Sequence, residues 1–122
     1  MNDNKILITF VMGTRPEIIK LAPLITLFKK NRIFLVRVVL TGQHLEMAED
    51  LLKLFEINED LNLKIMKSNQ SLTHITSSVI NGLKEEFMEY HPKLLFIQGD
   101  TSTAFAAALA AFFDKIPIAH IE

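Results

Sequence analysis

Apolar residues along the chain form five short runs, and the stretches between these runs have a different, helical spacing. The first run, residues 6–11, consists almost entirely of aliphatic and β-branched side chains, which is typical of a strand buried on both faces of a sheet. The stretches between the runs place apolar residues three or four positions apart, as a helix with one buried face does. The predicted strands are residues 6–11, 34–40, 63–66, 94–98 and 116–121. The predicted helices are residues 16–31, 45–55, 71–90 and 104–113.

This alternation of strand and helix predicts an α/β fold with a doubly wound, Rossmann-like parallel sheet. Short links and right-handed crossovers favour the strand order 3-2-1-4-5. In that order the direction of winding reverses between strands one and four. Ligands of such sheets bind beyond the carboxyl ends of the strands at this reversal point. The turns after strands one and four are therefore the predicted functional region.

The turn after the first strand has the composition expected of an anion site. It reads Gly13-Thr14-Arg15-Pro16-Glu17-Ile18-Ile19-Lys20. Gly13 permits a tight turn and a close approach of the backbone to a ligand, and the following helix offers free N–H groups. Arg15 adds donors that match a phosphate or a carboxylate. Neither the Walker A nor the G-x-G-x-x-G pattern is present, and a plain turn with an exposed arginine and a capping glutamate fits the spacing equally well.

Two local rules disagree about where the first helix begins. Thr14-x-x-Glu17 fits a capping box, in which Thr14 is the N-cap residue. The residue before a proline avoids helical dihedral angles, however, which makes Arg15 the last extended residue and Pro16 the first helical one. We favour the second start, because it leaves Arg15 at the ligand end of the turn.

Polar residues from three separate segments are predicted to meet at this edge of the sheet. Arg15 and Lys20 follow strand one, Asp100 follows strand four, and His120 and Glu122 end strand five. Taken alone, Asp100 is predicted to be a helix N-cap and His120 a buried core histidine. Together, two carboxylates and two cations suggest acid–base chemistry on an anionic, nucleotide-linked substrate. A module that only binds a nucleotide at the same edge is the alternative.

Composition limits the remaining classes of function. The chain has 122 residues, a net charge of −1 and no cysteine, which predicts one domain without disulfides or thiolate ligands. The balanced charge argues against a nucleic-acid surface or an anionic-membrane surface. The longest apolar stretch, residues 104–113, is far too short to span a bilayer. We expect a cytoplasmic protein, and the prediction includes no metal and no cofactor.

Four segments together resemble the non-hydrolysing UDP-N-acetylglucosamine 2-epimerases, in order and in spacing. They are Gly13-Thr14-Arg15-Pro16-Glu17-Ile18-Ile19-Lys20-Leu21-Ala22-Pro23-Leu24, Thr41-Gly42-Gln43-His44, Gln98-Gly99-Asp100-Thr101-Ser102-Thr103 and His120-Ile121-Glu122. The resemblance implies that residues 1–122 are the N-terminal Rossmann-like domain of a two-domain enzyme with a glycosyltransferase-B-like fold. The C-terminal domain would be absent from this chain, and we expect the isolated fragment to be inactive.

The resemblance also implies an activity and a set of site residues. The family interconverts UDP-N-acetylglucosamine and UDP-N-acetylmannosamine, by eliminating UDP and adding it back, for cell-surface polysaccharides. The positions that match its catalytic residues are Lys20, Asp100 and Glu122. The positions that match its substrate-binding segment are Arg15, Gly13 and Thr14. Members of the family are generally homodimers, so the implied partners are the UDP-sugar substrate and a second copy of the chain.

A regulatory site is a further implication. Gln43 and His44 match the region where bacterial members bind a second, activating substrate molecule. Such members usually have an arginine shortly before the third helix, and this chain has Asn69 in that segment instead. The allosteric site is therefore the least secure part of the resemblance.

Two related classes of enzyme differ in the first motif. Hydrolysing epimerases usually follow Gly-Thr-Arg with Ala-Asp, where this chain has Pro16-Glu17. Epimerases of diacetamido-uronic sugars tend toward Ala-Arg-Pro-Gln, where this chain has Thr14 and Glu17. Both differences favour the N-acetylglucosamine enzyme.

Overall fold

The computed structural model describes residues 4–42 and 45–122, without the side chains of residues 45–47. Its elements are β1 (Ile6–Met12), α1 (Arg15–Lys29), β2 (Phe34–Leu40), α2 (Leu45–Leu54), β3 (Leu61–Asn62), α3 (Leu72–Glu89), β4 (Leu94–Gln98), α4 (Ser102–Phe113) and β5 (Ile118–Ile121). The strands form one parallel sheet in the order β3-β2-β1-β4-β5. The predicted α/β class, the strand order and the reversal point between β1 and β4 are confirmed.

Side chains of the central strand β1 alternate between two apolar layers, one on each face of the sheet. Phe10 and Met12 belong to the layer beneath α1 and α2, whereas Val11 belongs to the layer beneath α3 and α4. All three are at most 1% exposed, and this burial on both faces explains why β1 reads as an unbroken apolar run. The Phe10 ring stacks on Phe96 with the centroids 4.7 Å apart, which links β1 to β4.

Helix α4 has two apolar sides, of which one is buried and the other is exposed. Its alanines pack against the sheet and against α3, and the buried ones are Ala104, Ala106, Ala107, Ala110 and Ala111. Their small side chains allow the helix to approach both neighbours closely. On the other side, Phe105, Phe112 and Phe113 are 62–70% exposed. A bilayer crossing needs a longer apolar helix than any found in the described part of the chain.

Strand β3 is shorter and lies earlier than predicted. It covers only Leu61–Asn62, where the apolar pattern indicated residues 63–66. The chain still runs beside β2 at this point, because the Leu63 N–H donates to the Leu40 carbonyl at 2.9 Å. The regular strand ends before Lys64, which adopts a left-handed φ of 53°, far from the dihedral angles of a regular strand.

Strand β5 begins two residues later than predicted, at Ile118–Ile121 rather than at 116–121. The N–H of Ile116 donates to the Ala111 carbonyl at 2.9 Å, so this residue belongs to the turn that closes the C-terminal end of α4 and not to the strand. Pro117 follows it and has no N–H to donate. Hydrophobicity alone had assigned both residues to the strand.

An ion pair joins β2 to the C-terminal part of α3. Arg37 Nε donates to Glu86 Oε2 at 2.6 Å, and Arg37 Nη2 donates to Glu86 Oε1 at 3.0 Å. The side chains are 15% and 4% exposed, and the guanidinium lies 3.7 Å from the centre of the Tyr90 ring. Burial acts to lower the pKa of Arg37, but the hydrogen bond and the charge of Glu86 raise it above its ordinary value. The arginine therefore stays charged.

Removing the Glu86 carboxylate should destabilise the fold. Glu86→Ala leaves the partly buried Arg37 guanidinium without its bidentate partner, and losing hydrogen bonds to a charged group in this way should cost about 1.5–3 kcal/mol. Glu85→Ala is the matched control at the exposed neighbouring position, and it should change the free energy of unfolding by less than about 0.5 kcal/mol. Urea unfolding of the full-length protein measures both. Equal stability of the two variants would contradict a structural role for the pair.

Candidate functional site at the carboxyl edge of the sheet

Helix α1 begins one residue earlier than the start we favoured. Thr14 is the N-cap, with extended dihedral angles of −117° and 163°, and Arg15 is already helical. The Thr14 carbonyl accepts a hydrogen bond from the Ile18 N–H at 3.1 Å, which requires helical geometry at Arg15 and outweighs the preference of a residue before proline. The alternative start at Thr14 is thus correct in position. The Thr14 hydroxyl does not cap the helix, however.

The glutamate of this turn points into the protein rather than capping the helix. Glu17 is 1% exposed. Its Oε1 accepts from the Gly13 N–H at 2.8 Å, and its Oε2 accepts from the Thr14 hydroxyl at 2.8 Å and from the Thr101 hydroxyl at 2.7 Å. Thr101 lies in the turn after β4, so this one carboxylate joins the turns on the two sides of the reversal point.

The turn after β4 is shaped by a glycine and capped by a threonine. Gly99 has a left-handed φ of 78°, which directs the chain from the strand into α4. Thr101 is the N-cap of that helix, and its hydroxyl accepts from the Ala104 N–H at 3.1 Å. The prediction that Asp100 is the cap is therefore wrong. Thr101 uses its own oxygen for the cap and its proton for Glu17, and Asp100 is left exposed.

The end of β5 lies beside this turn. The Gly99 N–H donates to the Ile121 carbonyl at 2.8 Å, and His120 Nε2 lies 2.6 Å from the Gly99 carbonyl oxygen. Among the described residues β5 pairs only with β4, and His120 is exposed, so the prediction of a buried core histidine is wrong for this chain. Together with Asp100 and Thr101, His120 and Gly99 line one end of a groove between α4 and the strands β4 and β5.

The residues predicted for the site follow three neighbouring strands. Arg15 and Lys20 are exposed on the first turns of α1, and Asp100 and Glu122 are exposed after β4 and β5. Since β1, β4 and β5 are adjacent and parallel, the segments that carry Arg15, Asp100 and Glu122 leave the sheet at the same end, the carboxyl ends of the strands. Lys20 lies five residues further along α1 than Arg15.

The turns themselves are connected by the bonds of Glu17 and by those of Gly99. Gly13 is buried, and its N–H is already bonded to Glu17, so its role in substrate binding stays a prediction. The same holds for Thr14, whose hydroxyl is bonded to Glu17 as well.

Two predictions concern other parts of the chain. Gln43 and His44, the predicted allosteric residues, lie outside the described residues. Within residues 4–42 and 45–122, no three histidine, aspartate or glutamate side chains are grouped so that they could bind a metal ion.

Sequence reasoning missed the contact between Glu17 and Thr101. The capping-box spacing indicated that Glu17 acts locally, and its local bonds to Gly13 and Thr14 fit that signal in part. No pattern in the sequence relates Glu17 to a hydroxyl 84 positions away. Only the pairing of β1 with β4 brings the two turns together.

A doubly wound parallel sheet with polar turns at its reversal point defines an α/β domain of the ligand-binding, Rossmann-like type. The family model of UDP-N-acetylglucosamine 2-epimerase matches residues 27–122. The chain belongs to the UDP-N-acetylglucosamine 2-epimerase family. It is 48% identical over 112 residues to the UDP-N-acetylglucosamine 2-epimerase of Neisseria meningitidis serogroup A. It is 50% identical over 115 residues to that of Salmonella borreze. These alignments cover 92% and 94% of the chain but 30% of each relative.

Solved structures agree with the sequence comparison. The UDP-GlcNAc 2-epimerase from Neisseria meningitidis bound to UDP-GlcNAc superposes with a TM-score of 0.92 at 46% identity, over 96% of this chain and 32% of that one. The Methanocaldococcus jannaschii enzyme, in complex with UDP-GlcNAc and UDP, superposes with a TM-score of 0.88 at 30% identity, over 96% of this chain and 32% of that one. The chain thus spans about a third of the length of these proteins.

Proposed function

We propose that the full-length protein carrying this chain is a non-hydrolysing UDP-N-acetylglucosamine 2-epimerase, and that residues 1–122 belong to its N-terminal Rossmann-like domain. The observation that carries the proposal is the identity of 48–50% to epimerases of that name over 92–94% of the chain. The exposed cations and carboxylates at the reversal point support it. A second domain, encoded by sequence beyond this chain, would complete the cleft as in a glycosyltransferase-B-like fold.

In the proposed reaction, the negative charge that grows on the departing UDP must be neutralised. Elimination of UDP breaks the bond between the sugar C1 and the diphosphate oxygen, and negative charge grows on the diphosphate. Arg15, at the first position of α1, supplies a guanidinium and the positive end of a helix to that charge. Lys20 adds a second cation on the same helix. This stabilisation is needed because the proton at C2 is only weakly acidic.

The carboxylates take the proton steps in this proposal. One of them removes the C2 proton as UDP leaves, which gives a 2-acetamidoglucal. A proton returned to C2 from the opposite face, with UDP added back at C1, then gives the epimer. Asp100 and Glu122 are assigned to these transfers because they are exposed at the ends of adjacent strands. Proton transfer by positioned groups contributes roughly 10²- to 10⁴-fold to such reactions.

The proposal includes an activating site and a cellular location. Gln43 and His44 would contact an activating UDP-sugar molecule, with Asn69 standing where bacterial members usually have an arginine. The cytoplasm is the proposed location, in keeping with a chain that contains no cysteine and needs no oxidising compartment.

Incubation in deuterated water separates the proposed activity from its alternatives. The full-length protein should place deuterium at C2 and interconvert UDP-N-acetylglucosamine with UDP-N-acetylmannosamine, whereas the isolated 122-residue chain should do neither, because it lacks the second domain. Mass spectrometry and NMR of the sugar products measure both results. Release of free N-acetylmannosamine would identify a hydrolysing enzyme, and an unchanged, bound UDP-sugar would identify a non-catalytic binding module.

Arg15→Ala and Asp100→Asn should impair the full-length enzyme in different ways. A hydrogen bond to a charged group contributes about 1.5–3 kcal/mol, so Arg15→Ala should weaken UDP binding roughly 10- to 150-fold. Asp100→Asn should keep UDP affinity but lower turnover by roughly 10²- to 10⁴-fold. Because Thr101 caps α4, the aspartate change should leave the helix intact.

Calorimetric UDP affinity and the rate of C2 exchange measure the two effects. Arg32→Ala is the matched arginine control, since it is exposed beyond the opposite end of α1, and Asp50→Asn is the matched aspartate control on α2. If Asp100→Asn turns over at the normal rate, a group other than Asp100 transfers the C2 proton.

A homodimer is the proposed assembly, and the exposed phenylalanines of α4 support it. Large contiguous apolar surfaces usually mark interfaces, and Phe112 is 70% exposed. Phe112→Asp should shift the full-length protein toward the monomer in sedimentation velocity. Leu54→Asp is the matched control, because Leu54 is 75% exposed on α2, on the other face of the sheet. A monomeric parent protein would contradict the assembly.

A further inference from the structure

The carboxylate of Glu17 lies between the two turns that carry the proposed chemistry. Arg15 is two residues before Glu17, and Asp100 immediately precedes Thr101, whose hydroxyl donates to Glu17 at 2.7 Å. The carboxylate is 1% exposed and faces the interior, so it does not reach a ligand in the cleft. It is nevertheless bonded to both of the turns that such a ligand would touch.

The bonding pattern makes this contact stronger than an ordinary turn contact. A buried carboxylate is costly unless hydrogen-bond donors surround it, and here a backbone N–H and two hydroxyls take that part at 2.7–2.8 Å. Bonds to an ionised acceptor are about twice as strong as neutral ones. Two of the donors come from the β1–α1 turn and one comes from the β4–α4 turn. The single bond from Thr101 is therefore the hydroxyl link from one turn to the other.

We propose that Glu17 is a positioning residue that, through Thr101, holds the turn carrying Asp100 in register with the turn carrying Arg15. The inference rests on the proposed epimerase function for its effect on turnover. Its structural part, the coupling of the two turns, holds independently of any activity. The role differs from acid–base catalysis, because Glu17 acts on the protein's own turns and not on the sugar.

Thr101→Val in the full-length protein is the direct test. Valine keeps the shape of threonine but cannot donate to Glu17, and the β4–α4 turn then loses this hydrogen bond to the carboxylate that also binds the β1–α1 turn. A displacement of about 1 Å at a catalytic group can cost 10²-fold in rate, so kcat should fall roughly 100-fold. UDP affinity should change less than about threefold, since Gly13 and Thr14 still hold the Arg15 turn through Glu17. Thr101→Ser retains the hydroxyl and should restore kcat.

Two controls separate positioning from stability. Thr101→Val also removes the cap on Ala104, so Ser71→Ala, which removes the equivalent cap of α3 from the His74 N–H, reproduces that loss away from the site. It should lower stability without lowering kcat. In a Glu17→Leu background, which has no acceptor at this position, Thr101→Val should add little to the loss of kcat, because both changes remove the same hydrogen bond.

Amide hydrogen exchange of the segment containing Gly13 supplies a readout that needs no activity. Thr101→Val should speed exchange at Gly13, in the opposite turn, and Thr101→Ser should not. A Thr101→Val enzyme with normal kcat, or one whose kcat falls no further than that of Ser71→Ala, would overturn the inference. If the unsubstituted full-length protein does not exchange the C2 proton of UDP-N-acetylglucosamine with solvent, the proposed function is wrong. Unchanged exchange at Gly13 in Thr101→Val would then refute the coupling on its own.

Discussion

The buried carboxylate of Glu17 is the interaction on which the geometry of the candidate site depends. A parallel sheet brings the ends of β1 and β4 side by side, but it leaves the turns beyond them free to differ in path. Glu17 removes that freedom by accepting hydrogen bonds from Gly13, Thr14 and Thr101. The position suits a negative charge, because the first turn of α1 lies at the positive end of the helix dipole. The same turn leaves Arg15 exposed. The carboxylate of Glu17 therefore faces the interior and bonds the turns, whereas the guanidinium of Arg15 faces solvent, where a ligand can reach it.

The second constraint is the two-sided burial of the central strands. Phe10 and Val11 occupy opposite layers and are both at most 1% exposed, which fixes the register of β1 to within one residue, since a shift would exchange the layers. The Phe10–Phe96 stack and the alanines of α4 extend this packing to β4. The closely packed middle of the sheet therefore carries the polar turns at the carboxyl ends of its strands, and this arrangement is common where function requires exact placement of side chains.

The sequence was sufficient for the topology because the topology depends on periodicity. Continuous apolar runs and helical spacings follow from burial in a covered parallel sheet, and they gave the class and the strand order correctly. The predicted boundaries of the strands were wrong where the backbone conformation of a single residue ends the element. Lys64, with its left-handed φ, follows the end of β3 in this way. The predicted start of α1 was wrong for a similar reason. Two local rules gave different starting residues, and the hydrogen bond to the Thr14 carbonyl shows which of them the chain follows.

The candidate site was predictable in its location but not in its internal bonding. Asp100 and Thr101 are both good N-cap residues, and the sequence alone offered no way to choose between them. The turn at Gly99 makes Thr101 the cap. His120 was misjudged because an apolar strand was assumed to be covered, whereas β5 is the edge strand of the described sheet. The link from Glu17 to Thr101 depends on strand pairing between distant segments, and local patterns do not contain that information.

The polar residues at the carboxyl ends of the strands fall into two groups, those that hold the turns together and those that do not. Glu17 and Thr101 are bonded to each other and to the backbone, so their polarity is explained by the fold. The cap of α4 is likewise complete without Asp100. Asp100 and Glu122 therefore have exposed carboxylates that the described structure does not need for its turns. Neighbouring strands lie roughly 4.8 Å apart, so the backbone segments that carry Asp100 and Glu122 leave the sheet side by side, after β4 and β5. Under the proposed function, Asp100 and Glu122 would be the two groups that remove the proton from one face of C2 and return it to the other, while Glu17 and Thr101 keep their own hydrogen bond beneath them.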